Sequence, residues 1–245
     1  MEIKSEMTQV KASDGQMPVF LATPAEKGPF PGVIVVMEAF GLNEHIKGVA
    51  GRIAREGYVA VAPDLYYRSQ DNVAAYSDLP KALGLMGALS DAKIVEDVRA
   101  TLNLLKSQPK VQGDRIGMTG FCMGGRITFL SACHLPIRAA VPFYGGGIGR
   151  VMMPSEKTPH PPIDDAAGIT GALLVFYGAE DGFIPMDEVA LVEKKLKSLG
   201  KNAEVVVYEG AGHGFFCEER ESYNKKAADD SWKRLRAFFD QHLRK

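Results

Sequence analysis

"DRIGMTGFCMGGRITFLSACHL", Asp114 to Leu135, is the stretch that decides the fold. Its opening, "RIGMTG", is short and apolar enough for a buried strand, and "GGRITFLSACHL" reads as a helix. At the junction Gly120 and Gly124 stand two positions either side of Cys122. A strand-to-helix turn this sharp brings the flanking positions against neighbouring chain, and glycine removes the collision. The pattern is G-x-nucleophile-x-G, with cysteine where serine is more usual. A helix starting at Met123 aims its unpaired N–H groups and positive dipole end at the sulfur, which favours thiolate. Its first amide can also hold a developing oxyanion. Cys133, on an apolar helix face, reads instead as a small core side chain.

The rest of the chain alternates in the same way. "GVIVVM" (32–37), "YVAVAPDLY" (58–66), "RAAVPFYGG" (138–146), "GALLVFYGAED" (171–181) and "NAEVVVYEG" (202–210) are strand-like runs. Helical spacing marks 45–57, 91–108, 186–200 and the closing stretch from Tyr223. Near the N-terminus, "MTQVKASDGQMPVFLATP" has the alternation of an edge hairpin turning at Asp14-Gly15. Residues 68–90 follow neither period. The alternation predicts an α/β fold, a mainly parallel central sheet with helices on both faces, in a single domain over 1–245. Reactive groups in such sheets gather at the carboxyl ends of strands.

Three further groups lie just past predicted strands. His213 sits among Gly210, Gly212 and Gly214 in "YEGAGHGFF", where a general base is expected. His45, His134, His160 and His242 are read as having no task, His45 as the opening of a helix. In "VFYGAEDGFIP", Asp181 is preferred over Glu180 as the carboxylate that orients the imidazole. The resulting order, nucleophile 122, acid 181, histidine 213, is that of the α/β-hydrolase fold. Glu38 ends the strand "GVIVVM", where a carboxylate is costly unless paired. The loop it begins supplies the second oxyanion amide in that fold, here Ala39 beside Met123. Phe40, Tyr144 and Phe215 are candidates for an apolar wall that holds substrate.

Composition gives no reason to expect a nucleic-acid or membrane partner, and a small-molecule substrate is the expected one. Lys plus Arg (29) nearly equals Asp plus Glu (30), so no charge excess points to nucleic acid or to an anionic membrane. The run "FPGVIVVMEAFGL" is too broken to span a bilayer, and the N-terminus has no apolar core of a signal peptide. Three cysteines without C-x-x-C spacing argue against a disulfide framework and a zinc site, and fit a reducing cytoplasm. No cofactor and no metal are expected. "GFCMGG" lacks the Lys-Ser/Thr of a phosphate-binding loop.

Taken together, "MEAFGLNEHI", "GFCMGG", "GAEDGFIP" and "GAGHGFF" resemble the dienelactone hydrolases, or carboxymethylenebutenolidases. The tail "ESYNKKAADDSWKRLRAFF" is similar to that family's last helix. The resemblance implies a hydrolase of lactones or activated esters, with Cys122 as nucleophile, His213 as base, Asp181 as its partner, and Ala39 and Met123 as oxyanion amides. It also implies that Glu38 touches the resting thiol and moves when substrate binds. Members of the family hold a substrate carboxylate with arginines, one of them four residues past the histidine. Here that place is Cys217, and Arg68, Arg150 and Arg220 are the candidates to replace it. A broad carboxylesterase or thioesterase for small neutral esters is therefore the alternative reading.

Overall fold

A computed structural model describes residues 1–151 and 155–245. Its first two strands, β1 (Ile3–Ala12) and β2 (Gly15–Pro24), form the expected hairpin, with Ala12 opposite Gly15 at the turn. Then follow β3 (Phe30–Val36), α1 (Glu44–Arg55), β4 (Val59–Pro63), α2 (Leu79–Ala88), α3 (Asp91–Ser107) and β5 (Val111–Phe121). Next come α4 (Met123–His134), β6 (Ala139–Phe143) and a 3-10 turn over Pro162–Gly168. The chain closes with β7 (Ala172–Gly178), α5 (Met186–Ser198), β8 (Ala203–Tyr208) and α6 (Lys225–Leu243). The strands form one eight-stranded sheet in the order β1-β2-β4-β3-β5-β6-β7-β8. β2 pairs antiparallel with β1 and β4, and every pairing from β4 onward across to β8 is parallel.

Parallel strands buried on both faces need unbroken apolar runs, which is what β3, β4, β6 and β7 supply. Val33, Ile34, Val35 and Val36 have no exposed surface at all. α1 and α6 carry polar caps that satisfy an early amide: Asn43 Oδ1 accepts from Ile46 N–H (3.1 Å), and Asn224 Oδ1 from Ala227 N–H (3.1 Å). The ambiguous stretch 68–90 contains an irregular loop and α2, which Asp78 caps. Among its residues Ala82 is the buried one, while Leu79 and Leu83 are exposed. A helix that does not bury its apolar residues leaves no clean period in the sequence.

The elbow is the tightest point of the frame. Cys122 has φ 56° and ψ −119°, a strained left-handed conformation for a residue with a side chain. It is held there by its own N–H, which donates to Phe143 O (3.1 Å) on β6, and by the start of α4. A Cβ on Gly120 would fall on the Gly124 carbonyl, and one on Gly124 on the carbonyls of Val36 and Met37. These obstacles are backbone, so they cannot rotate away. We expect Gly124→Ala to destabilise the fold by about 1–3 kcal/mol, as other overpacked sites do. Urea denaturation measures it, and an unchanged midpoint would contradict this account of the turn.

Candidate active site

Every group singled out near a strand end reaches the same rim of the sheet. Glu38 follows β3, Cys122 follows β5, Tyr144 follows β6, Asp181 follows β7 and His213 follows β8. These strands run parallel, so their carboxyl ends share one edge. His213 Nδ1 lies 2.8 Å from Asp181 Oδ2. The other carboxylate oxygen, Oδ1, accepts from the amides of Phe183 (2.9 Å) and Ile184 (3.2 Å). Asp181 is therefore fixed from two sides and buried, whereas Glu180 is exposed. Burial by itself would push the His213 pKa down. Coupling to the neighbouring Cys122 sulfur, together with the hydrogen bond to Asp181 and its charge, outweighs burial and raises it to about 10.

One hydroxyl links the two residues expected to supply the oxyanion amides. Tyr66 Oη donates to Ala39 O (3.0 Å) and lies 3.3 Å from Met123 Sδ, so it ties together the two residues whose amides were expected to serve. Neither the Ala39 nor the Met123 amide has a hydrogen-bond partner among the described residues. Burial pushes the Tyr66 pKa up, so the phenol keeps its proton. In the sequence Tyr66 marked only the end of a strand-like run.

Glu38 is fully buried, and its two oxygens have partners that the sequence did not disclose. Tyr76 Oη donates to Oε2 (2.9 Å), and Arg220 Nη1 lies 3.4 Å from Oε1. The family resemblance places this carboxylate against the resting thiol; here it is turned toward Tyr76 and Arg220. Tyr76 also accepts from Asn43 Nδ2 (3.1 Å) and from the Cys217 thiol (3.2 Å). Of the three candidate arginines, Arg220 is the one brought to the site. Arg68 pairs with Asp14 and Asp97, and Arg150 with Asp187. Gly214, at φ 82°, leaves the space that the Arg220 guanidinium fills. Burial lowers the Arg220 pKa, but the neighbouring Glu38 carboxylate raises it further, so the side chain stays charged.

The three aromatic candidates differ in their setting. Phe40 packs on Tyr76 (4.7 Å between centroids) under the Arg220 guanidinium (5.7 Å). Tyr144 meets His213 edge-on (5.3 Å), and its buried hydroxyl has no hydrogen-bond partner among the described residues. Phe215 lies fully buried against Tyr144, 5.0 Å away. Phe183, which the sequence reading passed over, is 59% exposed and edge-on to His213 at 5.2 Å. His45 opens α1 as expected, with its ring edge-on to Phe121 and Phe216. The fold also brings one of its nitrogens, a Glu38 oxygen and Cys217 Sγ within 4.8 Å of one another, a grouping invisible along the chain. No described helix is long and apolar enough to cross a membrane.

A nucleophile-elbow turn, a histidine and a buried acid on the rim of a mostly parallel eight-stranded sheet define an α/β hydrolase. The model of the dienelactone hydrolase family matches residues 17–243. A Methylorubrum extorquens protein named "Putative carboxymethylenebutenolidase" is 39% identical over 96% of this chain and 80% of its own length. A Bradyrhizobium protein named "Probable 2-oxo-3-(5-oxofuran-2-ylidene)propanoate lactonase" is 32% identical over 91% of this chain and 89% of its own. The Klebsiella pneumoniae crystal structure described as a "Putative Dienelactone Hydrolase" superposes with a TM-score of 0.90 at 36% identity, covering 98% of this chain and all of that one. The chain belongs to the dienelactone hydrolase family and is a hydrolase.

The raised His213 pKa has a definite sign. A folded pKa above the unfolded value of 6.5 stabilises the fold fully below about 6.5, and that contribution is lost as pH rises through about 10. Cys122→Ser puts a far weaker acid beside the ring and is expected to move the His213 titration, followed by NMR of the ring protons, down from about 10. An unmoved midpoint in that variant would show that sulfur and ring are not coupled.

Proposed function

We propose that this enzyme opens small lactones or activated esters through an acyl-thioester on Cys122. The observation that carries the reading is the strained Cys122 at the tip of the elbow, electrostatically coupled to a His213 that Asp181 orients. Sulfur adds to the substrate carbonyl carbon, and the oxygen takes the negative charge beside the amides of Ala39 and Met123. The carbon–oxygen bond of the ring breaks, and the leaving oxygen takes a proton from the His213 imidazolium. His213, then neutral, removes a proton from water; the hydroxide attacks the thioester, and the hydroxy-acid leaves with the thiolate restored. Asp181 holds the tautomer throughout. Glu38, once released from Tyr76 and Arg220, accepts the thiol proton in any turnover that starts from the protonated cysteine.

The family names support a lactone as substrate. Arg220, the cation beside Cys122, is the group suited to a substrate carboxylate. The second reading, a neutral ester or thioester, is favoured by the same residue, because Glu38 already neutralises that guanidinium. The exposed ring of Phe183 and the face of Phe40 would then hold the acyl group. A thiol that does this work fits a reducing compartment such as the cytoplasm.

We expect Cys122→Ala to lose on the order of 10³-fold or more in kcat, as other enzymes do when a triad member is removed. Circular dichroism should show the fold retained, and full activity would end the proposal. Comparing an unsaturated lactone that bears a carboxylate with its methyl ester separates the two substrate readings. In the first, Arg220→Met raises KM for the acid alone; in the second, it leaves the preference for the ester unchanged.

A further inference from the structure

We infer that Glu38, His45 and Cys217 form a binding site for a thiol-seeking divalent transition metal, Zn2+ being the probe of choice. A carboxylate oxygen, an imidazole nitrogen and a sulfur within 4.8 Å of one another are the donor types that zinc takes, at a separation small side-chain shifts would close to a coordination shell. His45 adds a second, independent sign: its Nε2 is buried and has no hydrogen-bond partner among the described residues. An orphaned buried ring nitrogen costs free energy that a metal bond would recover. Glu38 and Cys217 are likewise buried, so the ion would be largely shielded from water.

On binding, the Cys217 thiol gives its proton to solvent as the metal–sulfur bond forms, and no electron changes hands. The carboxylate and the thiolate then cancel the ion's two charges, so Arg220 faces a neutral centre instead of a second cation. Three protein ligands leave the fourth tetrahedral position to a water molecule. Tyr76 already contacts both Glu38 and Cys217. The site includes neither Cys122 nor His213. A bound ion would fix Glu38 in place and release Arg220 from it, which makes metal a reversible inhibitor of the site it adjoins.

The test uses Co2+ as a spectroscopic stand-in for Zn2+, on the full chain carrying Cys122→Ser so that the elbow thiol cannot contribute. A sulfur-to-metal charge-transfer band is expected on adding Co2+, displaced by one equivalent of Zn2+. Adding Cys217→Ser to that protein should abolish the band, and His45→Gln should weaken Zn2+ binding by more than about 100-fold, beyond the loss of an outer partner. His45→Gln keeps the test decisive if the serine variant fails to fold. Absence of the band in Cys122→Ser, or its survival in a folded double variant, would overturn the site. Each of these readouts is independent of turnover, so they stand apart from the role proposed for Cys122.

Discussion

One residue held in a conformation it would not choose organises this molecule. At φ 56° and ψ −119°, Cys122 can persist only because β5, α4 and the end of β3 are pressed together around it. Its amide is tied to β6 and its carbonyl accepts from Gly125 and Arg126 at the start of α4. The sheet supplies the rigidity for this. β3, β5 and β6 are adjacent and parallel, so their ends cannot drift apart without breaking the ladder between them. The sulfur, the ring and the acid then come from strands far apart in sequence whose carboxyl ends share one edge of the sheet.

The second constraint is electrostatic. Glu38, Asp181, His213 and Arg220 are all largely buried, and an uncompensated charge in such a place costs several kcal/mol. Each is answered by another: Asp181 by the ring and two backbone amides, Glu38 by a phenol and a guanidinium. Breaking any one pair strands its partner, so the network behaves as a unit. This arrangement also gives a reason for the orientation of Glu38. Tyr76 and Arg220 hold its two oxygens.

The sheet, the hairpin and the elbow were legible in the sequence because each leaves a local mark: β-branched runs, Asp14-Gly15, and glycines two positions from Cys122. Asp181 and His213 could be placed because their loops follow strands directly. Tyr76, Arg220 and Cys217 could not be assigned their contacts in the same way. They sit in irregular segments whose position depends on tertiary packing, and nothing in their neighbours says that they converge on Glu38. Arg220 lies in a loop seven residues past the histidine and reaches the site through the space above Gly214. Tyr76 precedes a helix with a single buried residue, so its segment has no period to read. His45 read correctly as a helix opener, and that correct reading concealed its orphaned nitrogen.

The account rests on Cys122 carrying the acyl group. Rapid acid quench of the enzyme with an activated ester, followed by intact-protein mass spectrometry and peptide mapping, measures this directly. A transient mass increase equal to the acyl group, located on the peptide that contains Cys122 and prolonged in His213→Gln, is the predicted result. Turnover with no adduct at any time, or an adduct mapped to another residue, would contradict it.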